Sequence, residues 1–340
     1  MKVLKKVMLV LTLLFILYYF GPNPATPNYS TTMVEVPAEP LSLENYIVAN
    51  EAAHKVKANN QARIVWANDS LKQKTEYAIV YLHGFSASQE EGNPVHRNIA
   101  KTFGCNLYLS RLAEHGIDTS DQLQNLTATN YWESAKQALA IGKQLGNKVI
   151  LMGTSTGGTQ ALQLAAAFPN DVAATILYSP NIAINDGNAW LLNNHWGLQI
   201  ARLVKGSKYL DPADQRPIYQ QYWNKPYRLE ALAQLQEMLE TTMLPSTFKK
   251  ITQPTLLLYY YKDENNQDKV VKVSAMQKMF EQLATPANLK VQKAMPLTED
   301  HVMASPIKSK DVEGVERETK LFMKQVLQLP LLNDSSSLKK

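Results

Sequence analysis

The chain predicts an α/β fold: a mostly parallel central sheet with helices on both faces and one helical insertion. Three observations point to it. Short apolar runs rich in Val, Ile, Leu and Tyr alternate with segments of helical spacing, as in strands buried on both faces by their crossover helices. Apolar residues make up 45% of the 340 and charged residues 19%, which excludes a disordered chain and supplies a core for one large domain or two ordinary ones. Between two strand candidates, Asn181 to Gln253 carries three of the five tryptophans. A structureless loop of that length is improbable inside a compact domain, so it is expected to be a helical insertion over one edge of the sheet.

The elements follow in order. Lys2, Lys5 and Lys6 precede an uncharged run, Val7 to Phe20, which as a helix would cover about 21 Å, against about 30 Å for a hydrocarbon core. Gly21-Pro22-Asn23-Pro24-Ala25 offers no A-x-A cleavage site. Residues 1–20 are therefore expected to be an uncleaved N-terminal membrane anchor, with a cleaved signal peptide as the alternative. Either places the rest of the chain outside the cytoplasm, periplasmic or extracellular. Five prolines between 21 and 40 predict an extended tether, and a domain spans 41–330. Strands are expected at Arg63–Ala67, Tyr77–Leu82, Asn106–Leu109, Lys148–Met152, Ala174–Tyr178, Thr255–Tyr261 and Leu289–Lys293. Helices are expected at Tyr131–Leu145, Thr159–Phe168 (stopped by Pro169), Ser274–Leu283 and Thr319–Leu327. A flexible polar tail occupies 331–340.

Composition narrows the chemistry. The single cysteine, Cys105, allows neither an intramolecular disulfide nor a cysteine-based zinc site. The net charge of +5 comes from 35 basic and 30 acidic residues, with lysines gathered at the two ends. No basic face argues for nucleic acid.

The most informative segment is Val149-Ile150-Leu151-Met152-Gly153-Thr154-Ser155-Thr156-Gly157-Gly158, a strand, then G-x-S-x-G, then a helix. A serine hydroxyl becomes a useful nucleophile only when held at an exposed point beside a base. A sharp strand-to-helix turn gives that exposure and tolerates only small residues at Gly153 and Gly157. The helix N-terminus directs backbone N–H groups at the same point. A tetrahedral oxyanion needs two donors. One is the N–H after the nucleophile, Thr156; the other comes from Tyr81-Leu82-His83-Gly84-Phe85-Ser86 at an earlier strand end, where the Phe85 N–H is the natural donor and His83 braces the turn. Of six histidines, His301 follows the last strand candidate and can swing over the sheet edge to Ser155. The acid lies in Tyr259 to Val271. Asp268 is favoured, because Val271 and Val273 look like a hinge anchoring its loop to the next helix; Asp263 is the alternative, and Glu264 a distant third.

The order Ser155…Asp268…His301, the His83-Gly84 loop and the elbow resemble the α/β-hydrolase superfamily. Gly153-Thr154-Ser155-Thr156-Gly157-Gly158 is similar to the elbow of carboxylesterases and monoglyceride-lipase-like serine hydrolases. Arg111-Leu112-Ala113-Glu114-His115-Gly116 resembles their R-x-x-G-H-G segment, with Glu114 in place of the usual glycine. The resemblance covers about Thr75 to Leu327. It implies an α/β-hydrolase fold with the insertion, about 182–253, as a cap over the active site. It also implies hydrolysis of a small-molecule ester through an acyl-enzyme, without metal or cofactor. The Trp- and Tyr-rich cap suggests an apolar acyl group. A serine peptidase, an acyltransferase or a non-catalytic membrane-tethered binding protein could be built on the same residues.

Overall fold

The computed structural model describes residues 2–211 and 214–332. Its strands are β1 (Arg63–Val65), β2 (Thr75–Leu82), β3 (Asn106–Leu109), β4 (Gly146–Thr154), β5 (Val172–Tyr178), β6 (Tyr209–Leu210), β7 (Tyr227–Arg228), β8 (Thr255–Tyr259) and β9 (Lys290–Ala294). Seven of them form the central sheet in the order β1-β3-β2-β4-β5-β8-β9, and β6 pairs with β7. Every central pairing is parallel except β1 with β3. The helices are α1 (Lys2–Tyr19), α2 (Pro40–Ala52), α3 (Val95–Phe103), α4 (Ala128–Leu145), α5 (Thr156–Ala167), α6 (Gly197–Lys205), α7 (Pro217–Tyr222), α8 (Leu229–Thr242), α9 (Pro245–Phe248), α10 (Val273–Gln282) and α11 (Val312–Gln325).

The period-two geometry of a strand divides the core. In β2, Ala78, Val80 and Leu82 enter the layer shared with α4, α5 and α10, while Ile79 and Tyr81 enter the layer shared with α3 and α11. In β4, Val149 and Leu151 part in the same way from Ile150 and Met152. Each buried Val, Leu, Ile or Met among them contributes about 1.5–3 kcal/mol. The inner strands β2, β4, β5 and β8 were legible because both faces are covered, whereas the two-residue strands β6 and β7 were not predicted. Helices α2 and α3 were not predicted. The structure starts α11 at Val312, seven residues before the predicted Thr319, because the Asp311 carboxylate caps it by accepting from the Gly314 N–H at 2.9 Å.

Between β5 and β8 the chain forms α6, β6, α7, β7, α8 and α9. Helix α8 packs on α4 and α6, and α9 on α5. Arg228 bonds to Asp121 at 2.6 Å and to Glu230, tying this region to the main body.

The N-terminus corrects an expectation. Among the described residues no helix is long and apolar enough to cross a membrane. The anchoring of residues 1–20 in a membrane, and with it the membrane as a partner and an anchored domain, is therefore overturned, and the signal reading of the same segment has no support. The physical reason is that Lys2, Lys5 and Lys6 lie within α1 itself, and the uncharged remainder, about 21 Å, is shorter than the apolar layer of about 30 Å. The helix ends instead against the insertion. Trp196 Nε1 donates to the Leu17 carbonyl at 2.9 Å, His195 Nδ1 meets the Gly21 carbonyl at 2.6 Å, and the Tyr18 and Tyr19 rings lie against His195. Beyond it the extended chain runs along α4, where Trp132 Nε1 and Lys136 Nζ donate to the Ser30 and Thr32 carbonyls, each at 2.8 Å. Of the predicted tail, Leu332 donates its N–H to Thr102 at 2.9 Å, and 333–340 lies outside the described residues.

Candidate active site

Strand β4 runs straight into α5, and the joint is Ser155, with φ 53° and ψ −120°. A non-glycine residue in that region costs about 1–3 kcal/mol and persists only where its surroundings enforce it. Here they do. The Ser155 N–H donates to the Tyr178 carbonyl at 2.8 Å, and the Ser155 carbonyl accepts from Gly158, Thr159 and Asn181 at 2.9, 3.2 and 3.0 Å. The flanking glycines are steric necessities. A Cβ on Gly157 would stand 1.9 Å from the Leu82 carbonyl oxygen, and one on Gly153 would stand 2.5 Å from the Gly157 carbonyl.

The loop after β2 lies opposite and is braced by three side chains. His83 Nε2 accepts from the Leu112 N–H at 3.0 Å, which leaves the proton on Nδ1 to donate to the Gly84 carbonyl at 2.9 Å. Glu91 accepts from the Gly84 N–H at 2.6 Å. His115 Nε2 accepts from the Ser86 N–H at 2.9 Å. Both imidazoles are held neutral: burial pushes His83 down to about 4, and burial with the neighbouring His83 pushes His115 well below the ordinary range. Between these braces the Phe85 N–H donates to no group among the described residues, and the same holds for the Thr156 N–H. Glu114, in the place of the usual glycine, adopts φ 64°, the left-handed conformation that glycine would occupy freely.

His301 and Asp268 meet behind the cavity. His301 Nδ1 donates to Asp268 Oδ2 at 2.6 Å, while Asp268 Oδ1 accepts from the N–H groups of Val270 and Val271 at 2.8 and 3.1 Å. Burial alone would raise the carboxyl and lower the imidazole. Their mutual attraction and the two amides overcome it, so Asp268 lies below and His301 above its ordinary value. Asp263 goes elsewhere. It is exposed and accepts from the N–H groups of Asn265 and Asn266, each at 2.9 Å, as a turn former. Glu264 accepts from the Tyr261 hydroxyl.

Ser155, Phe85, Thr156 and His301 face one cavity of about 870 Å³, whose insertion side presents Leu191, Ile200, Val204, Leu232 and Leu235. Ser155 and His301 share the cavity without a hydrogen bond between them.

Glu91 was not singled out from the sequence. It is 2% exposed and lines the cavity. A Cβ on Gly84 would sit 2.9 Å from its carboxylate and 3.1 Å from Ser155 Cβ, so the carboxylate stands within about 6 Å of Ser155 Cβ. Burial pushes its carboxyl up to about 7, against the pull of the Gly84 N–H and of His301. In the sequence it is one glutamate in a polar Gln89-Glu90-Glu91-Gly92 turn, with nothing to separate it from Glu90.

Residues 131–295 match the family model Hydrolase_4, described as serine aminopeptidase, S33. No curated protein matches the chain by sequence. Among solved structures, one from a study of the metagenome-derived lipolytic enzymes LipS and LipT aligns with a TM-score of 0.63 at 14% identity, covering 79% of this chain and 99% of that one. The monoacylglycerol lipase of Paleococcus ferrophilus aligns with a TM-score of 0.54 at 15% identity, over 76% and 95%. Est1E of Butyrivibrio proteoclasticus, bound to ferulic acid, aligns with a TM-score of 0.53 at 17% identity, over 79% and 95%. The parallel sheet and its helices define an α/β-hydrolase fold. Over the matched segment, a little under half of its length, the chain is similar to that family, and its structural neighbours include esterases and lipases.

Proposed function

We propose that this protein cleaves carboxylic esters, with Ser155 as nucleophile, His301 as general base and acid, and Asp268 as the carboxylate that orients His301. One observation carries the reading: the 2.6 Å Asp268–His301 pair adjoins the cavity onto which the strained Ser155 bend opens. His301 Nε2 takes the Ser155 proton as Oγ bonds to the ester carbonyl carbon. The carbonyl oxygen becomes an oxyanion facing the uncommitted N–H groups of Phe85 and Thr156, each contributing about 2.7–4 kcal/mol to lowering the barrier. Asp268 stabilises the imidazolium without taking its proton. The carbon–oxygen bond to the leaving alcohol breaks, and His301 returns the proton to that oxygen. Water, deprotonated by His301, then releases the acyl group as a carboxylic acid and restores Ser155. The Ser155–His301 hydrogen bond belongs to the contacts that tighten in the Michaelis complex. The apolar insertion wall suits an apolar acyl group.

The aminopeptidase description of the matching family model favours a second reading, amide cleavage by the same residues. A fluorophosphonate probe is expected to modify Ser155 and to leave Ser155→Ala untouched; no labelling of folded wild-type protein would overturn the hydrolase reading. p-Nitrophenyl esters of rising acyl length, assayed beside aminoacyl anilides, decide between ester and amide.

A further inference from the structure

The cavity has two chemically different walls. One is apolar, from Ile200, Val204, Leu232 and Leu235 on α6 and α8; the other carries Tyr219, Trp223, Lys225 and Tyr227, also of the insertion, together with Lys308. Lys225 is the unusual member. It is half-buried, its ammonium lies 6.0 Å from the Tyr219 ring centre and 5.9 Å from that of Tyr227, and among the described residues no carboxylate pairs with it. Its neighbours are matched. Lys308 stands 3.5 Å from Asp300 and 3.9 Å from Asp214, and Arg216 holds Asp214 at 2.6 Å. Glu91 is engaged with the Gly84 N–H. Lys205 and Lys269, which also border the cavity, are exposed. A partly desolvated ammonium without a counter-ion is costly, and burial together with Lys308 pushes Lys225 below the ordinary lysine range. Ring faces recover only part of that cost.

The position of Lys225 gives the unpaired charge a meaning. Its chain neighbour Asn224 donates its N–H to the Ser86 carbonyl at 2.5 Å and accepts from the Gly116 N–H at 2.7 Å, which fastens Lys225 to the loop that presents Phe85. Lys308 pairs with Asp300, the residue before His301. The cationic wall therefore adjoins the residue that, in the ester-hydrolase reading, returns a proton to the leaving oxygen.

We propose that Lys225, seconded by Lys308, binds an anionic group on the substrate, so that the preferred esters join an apolar acyl chain to a leaving alcohol bearing a carboxylate or a phosphate. The inference rests on the ester-hydrolase reading and adds its substrate class. The test compares hexanoyl esters of 4-hydroxybenzoate, 4-hydroxyphenyl phosphate, neutral 4-hydroxybenzamide and a trimethylammonium phenol. In the wild type, kcat/KM for at least one anionic ester is expected to exceed that of the neutral one by about tenfold, and the better of the two names the anion. Lys225→Met should bring that ratio to about one, Lys225→Glu should turn the preference toward the ammonium ester, and Lys308→Met should lower the ratio part of the way, with circular dichroism confirming that each variant is folded. Equal turnover of anionic and neutral esters by the wild type overturns the proposal. So does a wild-type preference for the ammonium ester, or a ratio that survives in folded Lys225→Met. Cleavage of the neutral ester without charge preference overturns this inference alone; failure to cleave any ester, with no fluorophosphonate labelling, overturns both.

Discussion

Asp263 and Asp268 lie on the same loop, and their surroundings give them opposite capacities. Asp268 is 1% exposed and carries its charge against His301 and two amides, whereas Asp263 spends its charge on an exposed turn. Asp268→Asn is expected to lower kcat by about 10⁴-fold, as loss of the orienting carboxylate does in a serine triad, with Asp263→Asn within about twofold; steady-state assays on one activated ester distinguish the two. Because the base must be neutral to act, kcat/KM should rise with pH through a pKa above the ordinary histidine value, following the raised His301, and a pH–rate profile reads it. Glu91 gives a stability prediction of opposite slope. Its pKa is raised to about 7, so between the ordinary glutamate range and about 7 the native state holds a proton that the unfolded chain has lost. Stability from this group is complete below that interval and falls across it, by on the order of 3 kcal/mol. Glu91→Gln keeps an acceptor for the Gly84 N–H, and its melting temperature should fall less than the wild type's between pH 5 and pH 8.

At the scale of elements, the joint between β4 and α5 leaves no room for a side chain at Gly157. Gly157→Ala would place a methyl 1.9 Å from the Leu82 carbonyl, forcing β2 and α5 apart. A loss of about 3 kcal/mol is expected, with a lower thermal midpoint and loss of Ser155 labelling. The same crowding made the elbow legible as a pattern of glycines. The inner strands were legible for a related reason, since burial on both faces leaves an unbroken apolar run. Helix α3 was not, because Pro94 at its start provides no side-chain cap and its apolar residues are interleaved with His96, Arg97 and Asn98. Helix α2 was hidden by the prolines before it, one of which, Pro40, occupies its first turn.

At the scale of the whole molecule, α1 buries no side chain of its own and is hydrogen-bonded to the insertion near Leu17 to Gly21. Removing residues 2–16 is expected to change stability by no more than about 0.5 kcal/mol, which differential scanning calorimetry measures directly. The insertion has a different standing. Its helices close one side of the cavity, and its Asn224 bonds to the loop that carries Phe85. It therefore contributes both the apolar wall and the placement of Lys225.

The sequence by itself determined the alternating strands and helices, the serine bend and the chain order of serine, acid and histidine, because hydrophobic period and steric crowding act locally and leave their mark in neighbouring residues. It favoured Asp268 but left Asp263 as an alternative, gave Glu91 no distinction from Glu90, and did not foresee that Lys225 would stand without a carboxylate beside the Phe85 loop. It also suggested a membrane anchor that the structure does not support. Those outcomes depend on which distant groups share a site and how much water remains between them. Burial and electrostatic pairing act through space, so only the tertiary structure decided them.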